Sequence, residues 1–469
     1  MINTDNEQDL AAKHIDSHSL IIAGAGCGKT TTLFKKINFL IDSGIDEKDI
    51  LVISFTNETV NNFKNKCNKN VDVFTFHKLA LKYIDNNEFD IAIDNLLDKK
   101  INDVLEGLSL KLKRKLYRIF KGIIGIFSIK KYSDLINNTD SNSINSYFKS
   151  IINIINAENI EILKLNTKKL SKSEIIILYV IKIIQESYIN VKKENSMIDY
   201  DDMIKIATNN INNDKYKCSY KHILVDEYQD ISKIRLEFLK SILKSSSGIL
   251  TAVGDDFQSI YGFSGSNIKL LYDFQKYFIN SKIFYITKTY RCPQHIVNVA
   301  GKFIMKNSYQ IKKNLISNNH INSKINKLYY IDKKKEFKKL INNIILKNKT
   351  TLILSRNTFD IYEYIDKDVQ VKNSYIIYKN KTYDNIRFLT IHKSKGLEAD
   401  IVVILNLSNN KNGFPSRKKN ILINKILPTD EKVMYPEERR LFYVALTRTK
   451  EELYLFIDLN NPSVFVKEV

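Results

Sequence analysis

Apolar residues recur along this chain in two rhythms. Short unbroken runs of Ile, Leu and Val, bounded by polar or turn residues, predict buried strands at 20–23, 50–54, 71–75, 223–225 and 248–253. Between the first two, Leu33, Ile37 and Leu40 repeat at helical spacing across 30–40. Strand, helix and strand at this interval predict a parallel sheet. Further strands are expected at 351–355, 387–390, 400–405 and 453–457, and helices at 233–243 and 436–448. From 85 to 196 the texture changes. There is no proline, almost no glycine, and long stretches run at helical spacing, clearest at 108–127 and 171–188. The expected fold is α/β with two parallel-sheet units. The first (1–84 and 197–281) is interrupted by an all-helical insert (85–196), and the second covers 282–469, opening near Ile283. All five prolines lie after residue 290, mostly at turns of the second half.

Composition narrows the class. A chain of 469 residues with 43% hydrophobic residues is globular and long enough for several cores. The formal net charge of +21 points to a polyanionic partner, most simply nucleic acid, although Lys, Asn and Ile are abundant everywhere and many lysines are solvated. Cys27, Cys67, Cys218 and Cys292 are scattered without metal-ligand spacing, as expected of reduced thiols. Residues 1–5 lack the basic and apolar segments of a signal peptide. The most apolar run, 175–184, is broken by Lys182 and is too short to span a bilayer. A cytoplasmic chain without membrane association is expected.

The chemistry gathers at strand ends. Ala23, Gly24, Ala25, Gly26, Cys27, Gly28, Lys29 and Thr30 follow a strand and open a helix, the context of a phosphate-binding loop. Its backbone N–H groups and helix N-terminus would cradle phosphates, Lys29 would neutralise β/γ-phosphate charge, and Thr30 would hold Mg²⁺. The run Ile223–Val225 ends in Asp226 and Glu227. With a P-loop upstream, Asp226 becomes a Mg²⁺-associated carboxylate and Glu227 the base that activates water. Gln258, at the end of another strand, is placed to sense a γ-phosphate. Tyr261 and Phe263 beyond it would stack on bases, or equally fill a core.

In order along the chain stand Gln8, 23–30, 54–57, 75–77, 199–202, 226–230, 254–263, 289–291, 390–398 and 437–448. Together these resemble the motifs of superfamily 1A helicases of the UvrD/Rep type. The resemblance covers nearly everything except the insert and roughly 311–349. It implies two RecA-like P-loop NTPase domains, with ATP and Mg²⁺ as cofactors. It adds Gln8 and Tyr290 on adenine, Thr31 beside the P-loop, Glu398 on ribose, and Arg291 and Arg448 reaching the γ-phosphate from the second domain. It implies a single-stranded DNA path along Phe55, Thr56, Asn57, His77, Tyr261, Phe263, Arg356, Thr390 and His392. Gln229 and Asp230 would link the nucleotide site to 254–263 and the DNA.

Three departures stand out. Thr31 replaces a common arginine, and Phe263 replaces a common tryptophan. The stretch 291–390 barely holds the second-domain core, so the large 2B subdomain of relatives is expected to be absent or vestigial. The implied function is an ATP-dependent 3′–5′ DNA helicase or translocase acting on single strands and single/double-strand junctions. A second reading is a DNA-dependent ATPase subunit supporting a partner nuclease, in repair or phage defence. A third, a small-molecule phosphotransferase, is disfavoured by the later motifs.

Overall fold

The computed structural model describes residues 6–85, 88–93, 95–120, 141–165, 168, 170–410, 413–416, 421–426 and 431–469. Strands β1 (Ser19–Ala23), β2 (Ile50–Ser54) and β3 (Asp72–Thr75) come before the insert. A two-residue pair, β4 (Asp90–Ile91) with β5 (Met197–Ile198), brings the insert's two ends together. Strands β6 (His222–Val225), β7 (Ile249–Gly254) and β8 (Lys282–Ile286) complete a six-stranded sheet in the order β3-β2-β6-β7-β1-β8. Every pairing in it is parallel. All residues of β1, β2 and β6 are buried, which is why they read as continuous apolar runs. Parallel strands share one carboxyl edge, and the stretches 24–28, 226–230 and 255–258 all leave from it.

The chain then crosses to the second unit. Opening that unit near Ile283 would place β8 in it, but β8 pairs with β1 and is the edge of the first sheet. Its mixed exposure gives no rhythm that assigns it to either sheet. Next come β9 (Lys288–Pro293), β10 (Ile316–Asn319), β11 (Ile325–Tyr330) and β12 (Thr351–Ser355). They are followed by β13 (Val369–Lys372), β14 (Tyr375–Tyr378), β15 (Lys381–Thr390), β16 (Ala399–Leu407) and β17 (Thr449–Asp458). The second sheet runs β11-β17-β16-β12-β15-β14-β13. It is parallel through β15, then antiparallel. The antiparallel edge turns at Asn373-Ser374 and Lys379-Asn380, all four with positive φ, as two-residue hairpin turns require.

The insert is helical: Leu96–Gly107, Leu110–Ile119, Ser141–Ala157 and Lys172–Glu194 pack around Ile101, Phe120, Phe148, Ile152 and Ile181. The part of the 108–127 helical expectation beyond Phe120 lies outside the described residues. The apolar run 175–184 buries Ile177, Val180, Ile181 and Ile184 in this core. Among the described residues no helix is long and apolar enough to cross a membrane. One element arrives from elsewhere in the chain. The helix Ile421–Ile426, between β16 and the helix Pro436–Leu446, places Leu422 in the insert's core. Lys425 there pairs with Glu174 at 2.7 Å.

Candidate functional site: a cleft between the two sheets

The P-loop turns on two left-handed glycines, Gly26 (φ 74°) and Gly28 (φ 78°). Space forbids a side chain as firmly as the dihedrals do. A Cβ on Gly28 would stand 2.7 Å from Nε2 of Gln8, and one on Gly26 would stand 2.6 Å from Cβ of Arg291. Gln8 donates to the Cys27 carbonyl at 3.1 Å, so it braces the loop directly. Gly28 caps the helix Lys29–Asp42, whose first turn carries no acidic residue. An anion there meets unpaired N–H groups and the favourable end of the helix dipole. Cys27 is buried, and burial pushes its thiol up to about 12, so it is a packing residue rather than a nucleophile. Thr31 is exposed at the helix start.

The second unit presses on this loop. Thr289 Oγ1 donates to the Ala25 carbonyl at 2.7 Å, and the Tyr290 N–H donates to the Gly26 carbonyl at 3.0 Å. Tyr290 stands 40% exposed beside the loop, with Lys288 over its ring.

β6 delivers Asp226 and Glu227 to the same place, with Glu227 itself left-handed at φ 51°. A non-glycine residue held there is strained, and such strain gathers at functional sites. Lys29 Nζ lies 3.5 Å from Glu227 Oε1. Burial opposes the Glu227 charge, but Lys29 and Lys395 outweigh it and hold the carboxyl at about 2. Burial, then the adjacent Glu227 charge, pushes Asp226 up to about 7. The Asp226 carboxylate at the end of β6 and the Thr30 hydroxyl in the first turn after the P-loop are oxygen donors of the kind Mg²⁺ takes together with phosphates. Among the described residues no group of three or more His, Cys, Asp or Glu would hold a metal by itself.

Two guanidinium groups face this point. Arg448 is 1% exposed. It donates to the Val444 and Leu397 carbonyls and, at 3.1 Å, to Gln258 Oε1. Burial and then the charge of Arg291 lower it to about 9. Arg291 pairs with Glu398 at 2.8 Å and also reaches the Thr447 carbonyl. Glu398 is held at about 2: burial opposes its charge, and Lys450 and Arg291 outweigh burial. Two like charges crowded in a dry cleft favour an incoming anion.

The residues expected along a DNA path fall into two groups. In one, Phe263, half exposed, meets the His392 ring at 5.3 Å and the Tyr261 ring at 6.1 Å. Tyr261 donates to the His392 carbonyl, and Glu437 holds the Gly262 N–H at 3.1 Å. Burial and nearby Arg356 push His392 down to about 3, so its ring is neutral. Arg356 is paired with Glu438 at 2.8 Å, and Thr390 Oγ1 accepts from the Lys393 N–H. In the other group, His77 meets the Tyr200 ring at 5.1 Å. Phe55 leans on Phe76 and Arg235 and is partly core. The Thr56 hydroxyl caps the helix Asn57–Lys66 and Asn57 is exposed.

Sequence reasoning left two lysines unassigned. Lys395 reaches across the cleft to Asp230 at 2.5 Å, Glu227 at 3.7 Å and the Gln258 carbonyl at 3.0 Å. Lys313 is buried against Asp255 and Asp256. Lys395 sits inside the recognisable run 390–398, but spacing alone does not distinguish a buried lysine from a solvated one. Lys313 falls in the stretch without recognisable motifs. Gln229 spans the site: its amide nitrogen bonds Glu227 and its oxygen accepts the Asp255 N–H at 2.9 Å.

Comparison with known proteins matches residues 4–279 to the UvrD/REP helicase N-terminal domain, and residues 363–458 to the UvrD-like helicase C-terminal domain. The chain is 34% identical to DNA helicase IV of Escherichia coli over 278 residues, 59% of this chain and 39% of that protein. It is 27% identical to a probable DNA helicase II homolog of Mycoplasma capricolum over 343 residues, 68% of this chain and 43% of that protein. It is 26% identical to the ATP-dependent DNA helicase Rep of Buchnera aphidicola (subsp. Schizaphis graminum) over 417 residues, 86% of this chain and 60% of that protein. The chain therefore spans less than two thirds of the length of each.

Proposed function

The chain belongs to the UvrD/REP helicase family, and from that premise we propose that it couples ATP hydrolysis to 3′–5′ movement along single-stranded DNA. The observation that carries this reading is the hydrogen bond from Arg448 of the second unit to Gln258 of the first, above a P-loop that β9 also touches. A nucleotide bound there is gripped by both units, so its hydrolysis changes how they hold each other.

Lys29 and the loop N–H groups bind the phosphates, and Tyr290 and Gln8 border the adenine. Thr30 and Asp226 would hold Mg²⁺, which would supply positive charge against the phosphates. Glu227 orients and deprotonates the attacking water. At about 2 it is too weak a base for that task. A phosphate chain drawing Lys29 away would return it toward its ordinary range. Arg291 and Arg448 offset the charge that develops on the γ-phosphate. Arg291 must first exchange Glu398 for phosphate, which frees that carboxylate for ribose. Gln258 and Gln229 relay the state of the γ-phosphate to Tyr261 and Phe263, where bases stack without sequence preference.

Strand separation needs a surface that meets the duplex. Residues 291–390 are occupied by β9 to β15 and the helices Gln294–Ile304 and Lys333–Lys347 of the second unit. Duplex contact thus falls to the helical insert or to a partner protein such as a nuclease. ATPase measured with and without single-stranded DNA tests the motor, and a rate indifferent to DNA would refute it. Unwinding of 3′-tailed against 5′-tailed duplexes, with and without an added nuclease partner, tests direction and self-sufficiency.

A further inference from the structure

Asp255 and Asp256 leave β7 side by side, each 0% exposed. Two adjacent carboxylates that far from water cannot both stay ionised without a cation between them. Lys313 supplies it. Its side chain is 1% exposed, with Nζ 2.5 Å from Asp255 Oδ1, bonded also to Asp256, and 3.7 Å above the Phe257 ring. The lysine comes from the second unit, on the stretch between the helix Gln294–Ile304 and β10. Two residues on, Leu315 lies so close to the P-loop that a Cβ on Gly24 would stand 2.7 Å from its methyl groups. This stretch therefore touches the first unit at both the phosphate loop and the end of β7.

The second oxygen of Asp255 accepts from Gln258 Nε2 at 2.6 Å, and Gln258 Oε1 accepts from Arg448 at 3.1 Å. An ionised carboxylate only accepts and a guanidinium only donates. As long as Asp255 is ionised, the Gln258 amide has one satisfactory orientation, with its oxygen toward Arg448. Without Lys313 the Asp255 carboxylate loses the cation that anchors it beneath the amide. We propose that Lys313 is a positioning residue for hydrolysis: by anchoring the Asp255 carboxylate, it fixes the Gln258 amide and through it the Arg448 guanidinium. The inference rests on the ATPase reading above and adds to it a link in which docking of the second unit sets the geometry of the γ-phosphate sensor.

The test is steady-state ATPase of the full chain with single-stranded DNA. Lys313→Met is expected to lower kcat about 10- to 100-fold, the scale of a misplaced positioning group, with KM for ATP changed less than about threefold. Lys313→Arg keeps the cation and is expected to recover most of the rate. The double variant Lys313→Met with Gln258→Ala is expected to be no slower than Gln258→Ala alone, because both remove the same arrangement. If Lys313→Met does not fold, Asp255→Asn, which keeps the shape and loses the obligatory acceptor, is expected to show the same non-additivity. Losses that multiply, or a raised KM at unchanged kcat, would overturn the assignment and leave Lys313 a structural ion pair. A wild-type chain that hydrolyses no ATP would remove the ATPase reading and this inference together.

Discussion

Where the cleft meets the P-loop, Lys29, Lys395, Arg291 and Arg448 stand opposite Asp226, Glu227, Asp230 and Glu398, with most of these groups buried. Where it meets Phe263, the facing groups are rings: Tyr261, Phe263 and His392; a second ring pair, His77 with Tyr200, lies on the first unit. His392 and His77 are pushed down by burial, to about 3 and about 4, so both rings are uncharged at neutral pH. One region holds charge in fixed geometry, which suits a single ligand of defined shape. The other offers neutral faces, which suit a repeating ligand that must slide. Lys395 joins the two, bonded to Asp230 and 5.0 Å over the Tyr261 ring. The motor proposed above would need both kinds of surface and a link between them.

Substitutions on the charged side are expected to act on the chemistry. Lys29→Ala or Glu227→Gln should lower ATP turnover about 10³-fold or more while the circular dichroism melt stays intact; retained turnover would contradict their roles. Arg448→Lys keeps the charge but loses the planar fork, and should cost about 10²-fold in kcat with little change in KM. Equal activity there would mean that charge alone suffices and that the contrast with the ring side is overstated.

Substitutions on the ring side are expected to act on grip. Phe263→Ala should weaken single-stranded DNA binding by about 5- to 100-fold, to a similar degree for different base sequences, as loss of one stacking platform does. A strongly sequence-dependent loss, measured by fluorescence anisotropy, would mean that the loop reads base edges.

The smallest effect is on stability. His77, His222 and His392 lie below their ordinary value chiefly because burial disfavours the charged form. At these three rings the unfolded chain binds more protons between about pH 6.5 and pH 4, so they lower stability as pH drops through that window, while the carboxyls of Asp226, Asp201 and Asp230, raised by burial, take up protons in the folded chain and oppose them. His222→Gln is therefore expected to lose less Tm than the wild-type chain between pH 7 and pH 5. An equal or larger loss would mean that this ring gains a partner when charged.

Local order decided what the sequence could reveal. The P-loop and Asp226–Glu227 were legible because each is a strand end whose strand is a short apolar run. Contacts across the cleft were not: Thr289 reaches Ala25 over 264 positions, and no spacing rule pairs them. Lys395 and Lys313 looked like two more lysines in a lysine-rich chain until packing buried them beside carboxylates. The hairpins around β14 escaped because Asn373-Ser374 and Lys379-Asn380 take left-handed turns without the glycine that usually advertises them. Phe55 shows the limit from the other side, since one ring serves both core and surface.

The helix Ile421–Ile426 has a mechanical consequence. By chain it belongs to the second unit, yet Leu422 and Lys425 are seated in the insert. The insert also rests on the first unit, where Glu158 accepts from Asn267 at 2.8 Å and from the Lys233 N–H at 3.3 Å. It therefore touches both units, like a crank between two plates. A rotation that opens the nucleotide cleft must either swing the insert or peel Leu422 from its seat.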